Sequence, residues 1–153
     1  MSTHSLGRIP IAAALAAAVL IGCSSEQTDQ QPGQAEMTAP PVPTAMIVAP
    51  ADGDTVTGPN VQVDLAVENL TLAPAGTDSA GTGHLHLFID HDLSPVGEAI
   101  PMGEGIVHLG KAQSGYLVEG LSSGAHTIIA VIGDWAHVRI PDARTDTVRI
   151  VVR

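Results

Sequence analysis

Two histidines stand two residues apart in the stretch Gly83-His84-Leu85-His86-Leu87-Phe88-Ile89-Asp90. Leu85, Leu87 and Ile89 alternate there with His84, His86, Phe88 and Asp90, which is the period of a β-strand with one aliphatic face. Side chains two apart on a strand point the same way, with Cβ atoms about 6–7 Å apart. Both imidazoles therefore face one side. A neutral imidazole offers a nitrogen lone pair to zinc, copper or nickel, so two on one face can lean onto a single ion. A lone histidine on a strand is more often a hydrogen-bonding residue at the edge of the core. A site needs further ligands, and the chain holds seven histidines, four of them after residue 90.

The elements that would bring those ligands together are short and extended. Residues 46–48 form a first strand before the turn Pro50-Ala51-Asp52-Gly53. Val61, Val63, Leu65 and Val67 alternate with polar or small residues as in a half-buried strand. Leu70 and Leu72 lead into a loop over 73–83 that is dense in Gly, Thr, Ser and Pro. Residues 91–105 read as a loop, since Pro95 and Pro101 oppose a central strand. Residues 106–109 are apolar and short. Residues 116–118 form a strand ending near the turn Ser122-Ser123-Gly124, residues 126–132 are apolar on both faces like a central strand, and 148–152 close the domain. No helical period occurs between residue 45 and the C-terminus. The expected fold is all-β, an immunoglobulin-like antiparallel β-sandwich of about seven strands, with a small barrel or jelly roll as the alternative.

In such a sandwich the strands 84–90 and 126–132 are antiparallel neighbours. The start of the first then lies beside the end of the second, which puts His84 and His86 near the loop holding Asp134 and His137. The strand around Tyr116 joins 126–132 through a tight turn, so its beginning, with His108 upstream, is expected at the same end. The candidate metal set is His84, His86, His108 and His137, with Asp134 beside them, and the ion is copper or zinc. His91 and His126 fall toward the opposite end and are read as structural. Asp134 after Gly133 also suits an Asx-turn, and Asp90 suits the same at its strand end.

Several elements together resemble a bacterial exported domain family of unknown function. Its hallmark is a Gly-His-His-His-Leu-Leu-Ile-Asp stretch. Gly83, His84, His86, Leu87, Ile89 and Asp90 match it, while Leu85 replaces the middle histidine. A following His-Phe-Gly-Lys-Gly-Gln stretch is similar to His108-Leu109-Gly110-Lys111-Ala112-Gln113. A Gly-x-His-Thr-Leu element is similar to Gly124-Ala125-His126-Thr127-Ile128, and a Gly-Asp-x-x-His element to Gly133-Asp134-Trp135-Ala136-His137. The resemblance runs from about residue 47 to residue 152. It implies an exported domain and brings no established activity.

The N-terminus carries an address. Arg8 closes a short basic region, and residues 9–21 are an apolar run too short for a comfortable membrane span and suited to a signal peptide. Leu20-Ile21-Gly22-Cys23 resembles the lipobox of bacterial lipoproteins, whose cysteine becomes the lipidated first residue. Cys23 is the only cysteine, so no intramolecular disulfide is available. Ser24 after it suggests the outer membrane of a Gram-negative cell, with the domain facing the periplasm. The organisation read is a signal peptide over 1–22, a disordered Gln/Pro/Ser/Thr-rich tether over 23–44, and a β-sandwich over 45–153. His4 falls in the signal peptide.

The formal net charge is −10, and acidic residues outnumber basic ones by thirteen to five from Asp52 to the C-terminus. That excludes the basic patches of nucleic-acid binding. No Gly-rich phosphate loop and no nucleophile elbow is present. The reading is a lipid-anchored cell-envelope β-sandwich, non-catalytic, binding a transition metal through histidines. A protein-interaction module with structural histidines and a metalloenzyme are the alternatives. A metalloenzyme would need an open coordination position and a substrate pocket, which no motif here signals.

Overall fold

The computed structural model describes residues 39–153. The signal-like run, Cys23 and the tether as far as residue 38 lie outside the described residues. Nine strands follow one another, with no helix among the described residues: β1 (Thr44–Ala49), β2 (Thr55–Val56), β3 (Val61–Glu68), β4 (Thr71–Leu72), β5 (Thr82–Ile89), β6 (Ile106–Leu109), β7 (Gly115–Val118), β8 (Gly124–Gly133) and β9 (Asp146–Val152). Two sheets form. One has the order β1-β3-β7, and the other runs β2-β9-β8-β5-β4 with β6 also paired to β5. The count exceeds the expected seven because β2 and β4 are two-residue pieces that pair in parallel with β9 and β5. Thr82 and Gly83, expected in the loop over 73–83, lie in β5.

Alternation decides which side chains fill the space between the sheets. Leu85 and Leu87 of β5 and Ile128, Ala130 and Ile132 of β8 face inward with Val63 and Leu65 of β3 and Val148 and Ile150 of β9, and all are buried. Each fully buried leucine contributes about 2 kcal/mol. The first strand begins at Thr44. Just before it, Val42 O accepts a hydrogen bond from Asn69 Nδ2 at 2.9 Å, and Pro43 O accepts one from Arg144 N at 2.8 Å.

The opposite face of β5 and β8 is also covered. Phe88, Ile100 and Val131 form a second buried cluster with Leu93, Ile106 and Ile129 around it. Ile100 and Leu93 come from the 90–105 segment, which folds over the outer face. It is held there by a small ladder in which Gly97 N donates to Arg139 O (3.1 Å), Arg139 N to Glu98 O (3.0 Å) and Ile100 N to His137 O (2.7 Å). Two loops thus clamp each other over the sheet, beside the histidines.

Candidate metal centre

β5 and β8 are antiparallel, with His84 opposite Gly133 and His86 opposite Val131. The start of β5 therefore lies at the end of β8, as the sandwich topology requires. His108 reaches this end by a different route from the one expected. The strand around Tyr116 is β7, and it pairs with β3 in the other sheet. His108 is instead carried by β6, which pairs directly with β5 and sets His86 opposite His108. A cross-strand partner shares the face, so the two rings stack with centroids 5.0 Å apart and planes inclined by 21°.

His137 is delivered by a loop. Asp134 Oδ1 accepts hydrogen bonds from Ala136 N and Val138 N, both at 2.8 Å, and the Asp134 backbone bonds Val138 O and His137 N. This closed turn holds His137 at a φ of 62°, a left-handed conformation that costs about 1–2 kcal/mol for a residue with a Cβ. Its ring lies 4.6 Å from that of His108 and 4.8 Å from that of His84, centroid to centroid.

The four imidazoles meet through their nitrogens. His86 Nε2 and His84 Nε2 are 3.0 Å apart, and His137 Nε2 and His108 Nε2 are 3.1 Å apart. In each pair one nitrogen must carry a hydrogen and donate to the other, or both must direct lone pairs at a shared cation. One ring nitrogen from each of His84, His108 and His137 lies within 4.8 Å of the other two, and this triad is placed to hold a metal ion. Four nitrogens at zinc-like bond lengths in a tetrahedron stand about 3.3 Å apart, so the two close pairs already have the spacing of neighbouring ligands. Two expected ligands stand beside this triad and outside it: His86, whose Nε2 meets that of His84, and Asp134, whose Oδ1 is engaged in building the loop.

The surroundings keep the rings uncharged. Burial first, then the neighbouring His137 and His108, lowers the pKa of His84 to about 4. Burial and the adjacent His84 lower that of His86 to about 3, and burial with His137 also lowers that of His108. At neutral pH these three offer lone pairs and no protonic charge. The Nδ1 atoms of His84 and His86 are buried without any hydrogen-bond partner. Leaving such atoms unpaired costs about 1–3 kcal/mol each, an unfavourable arrangement for histidines with no task beyond packing.

Glycines make the room. A Cβ at Gly110 would fall 2.4 Å from both Cε1 and Nε2 of His108, and one at Gly133 would fall 3.0 Å from His86 Nε2. Sequence reasoning did not identify either position as part of the site. In the sequence Gly110 stands out only as part of the His108–Gln113 resemblance, and the proximity of the ring reveals its role.

The two histidines read as structural lie at the other end. His126 Nδ1 is 2.6 Å from Asp90 Oδ2, and its Nε2 is 2.8 Å from Ser122 O. Both neighbours are acceptors, so both nitrogens donate and the ring is an imidazolium. The Asp90 hydrogen bond, then that of Ser122, raises its pKa. Asp90 Oδ1 also accepts from Thr127 N at 2.7 Å, which ties the end of β5 to the start of β8. His91 contacts Asp92 O and packs edge-on to Phe88. A hollow of about 600 Å³ opens at this end, lined by residues including Asp90, His91, Glu104 and Glu119, away from the four clustered rings.

No curated protein and no solved structure matches this chain. A family model described as a domain of unknown function (DUF4399) matches residues 63–153, a span that takes in β5, β6, β8 and the Asp134–His137 loop, and the chain belongs to that family.

Proposed function

We propose that the domain binds a divalent transition metal ion, copper(II) or zinc(II), through His84, His86, His108 and His137, and that it does so as a non-catalytic, lipid-anchored module of the bacterial cell envelope. The observation that carries the metal reading is the convergence of four imidazoles whose Nε2 atoms approach in pairs at 3.0 and 3.1 Å. An all-nitrogen, uncharged donor set suits copper(II) and zinc(II) better than the oxygen-seeking magnesium or calcium. Protonation of His84, His86 and His108 is disfavoured, so a metal would not have to displace protons from them near neutral pH.

The anchoring half of the reading rests on Cys23 and the apolar run before it. Acyl chains on Cys23 would hold the protein at the membrane, and the tether would let the domain stand off it, facing the periplasm from the outer membrane. Fatty-acid labelling in cells tests this: wild type should take up label and Cys23→Ser should not, and equal labelling would remove the anchor.

The metal reading is tested by titrating Cu(II) into protein purified without a histidine tag. Trp135 is the only tryptophan and lies two residues from His137, so bound Cu(II) should quench its fluorescence. Saturable quenching at one equivalent is expected, weakened by alanine at His84, His86, His108 or His137 and unchanged by alanine at His91. Absence of saturable binding would return the histidines to a structural role and leave an envelope interaction module as the function.

A further inference from the structure

The four rings divide into an inner and an outer pair. His84 and His86 are 0% and 2% exposed, and they stand on β5, which is paired on both edges. His108 is exposed and His137 is half-buried. β6, which carries His108, is a four-residue strand at the sheet edge, paired with β5. His137 belongs to a loop, next to Trp135, which is 49% exposed. An ion held by these rings has its back against two fixed, dry ligands and its front against two ligands that water and solutes can reach.

We propose, resting on the metal reading above, that the ion is exchangeable cargo and leaves by direct ligand exchange across the His108–His137 face. An acceptor carrying nitrogen or carboxylate donors places one of them on the ion while a ring nitrogen of His108 or His137 lets go. One metal–ligand bond forms as one breaks, the freed imidazole keeps its lone pair, and no electron is transferred. The inner pair holds the ion until the last exchange, because β5 cannot move without disrupting the core beneath Leu85 and Leu87. An ion closed in on all sides would behave differently: it would escape only when the fold opened, at a rate independent of the acceptor.

The test loads the full chain, free of any histidine tag, with one equivalent of Zn(II) and mixes it with the chromogenic chelator 4-(2-pyridylazo)resorcinol in increasing excess. The rate of zinc transfer should rise in proportion to chelator concentration. In His108→Ala, with an outer ligand already gone, transfer at a given chelator concentration should be at least about tenfold faster. A wild-type rate that does not change with chelator overturns direct exchange, and so does a His108→Ala rate equal to wild type. Equilibrium dialysis against Zn(II) beforehand separates the two ideas. Failure to take up zinc refutes the metal reading itself, whereas uptake followed by chelator-independent release refutes only the exchange route.

Discussion

Replacing Gly110 by alanine separates the metal site from the fold. A Cβ at this position would lie 2.4 Å from Cε1 and Nε2 of His108 and 3.2 Å from its Nδ1. Carbon and nitrogen atoms rest at about 3.5 Å or more, so the ring must retreat by about 1 Å. Metal–nitrogen bonds to histidine are about 2.0–2.1 Å long and tolerate deviations of only about 0.2 Å. The retreat therefore takes the His108 nitrogen out of bonding range. Gly110 is not among the residues with positive φ, so its backbone accepts alanine, and the displaced ring is exposed and free to swing into water. Stability of the metal-free protein should change by no more than about 0.5 kcal/mol, while metal affinity should fall by on the order of 10–100-fold. Competition against a chelator of known affinity measures the second quantity, and a thermal melt in excess chelator measures the first. Gly83→Ala is the contrast, because its Cβ would fall 2.8 Å from Gly133 O, a backbone atom of the paired strand β8. That variant should lose stability outright. Unchanged affinity in a well-folded Gly110→Ala protein would refute the placement of His108 in the site.

Asp134 should act through the loop and not through its charge. Asp134→Ala removes the acceptor for Ala136 N and Val138 N and should lower affinity on the order of tenfold, whereas Asp134→Asn keeps that oxygen and should bind like wild type; equal losses in both would mean that the carboxylate itself contacts the ion. Replacing both inner rings, His84→Leu with His86→Leu, should stabilise the metal-free protein by about 1 kcal/mol, because it removes two buried Nδ1 atoms with no partner together with the Nε2 pair that bonds them to each other, and should weaken metal binding at the same time; a lower urea midpoint in chelator would contradict it. The two histidine groups give pH dependences of opposite sign. His84 and His86 have folded pKa values of about 4 and about 3, below the ordinary 6.5, so the unfolded chain takes up protons first and stability of the metal-free protein falls as pH drops below 6.5. His126 has a raised pKa, so the stability it adds is complete below pH 6.5 and is lost as pH rises through its folded value. Urea midpoints across this range should show both limbs, and Asp90→Asn should flatten only the upper one.

Much of the scaffold is written in local pattern. The alternation of Leu85, Leu87 and Ile89 with His84, His86 and Phe88 assigns the two faces of β5, because side-chain direction on a strand has a period of two whatever the strand packs against. The apolar run 126–132 marks a central strand for the same reason, and β8 indeed lies between β9 and β5. The antiparallel pairing of those two strands follows from the sandwich class, and it was enough to bring His84 and His86 near His137.

Other features exist only in the folded chain. Residues 106–109 are too few to declare a strand by periodicity, yet their pairing with β5 sets His108 opposite His86. The cover over the outer face depends on Ile100 and Leu93, isolated apolar residues in a segment with two prolines, and it is this cover that buries Phe88 and Val131. The uncharged state of His84 and His86 arises from burial and mutual repulsion, which no residue spacing encodes. Asp90 and Asp134 are both acidic residues beside a histidine in the fold, but one makes its neighbour an imidazolium while the other accepts backbone amides and shapes a loop. That difference lies in which atoms each carboxylate meets, and tertiary packing alone determines it.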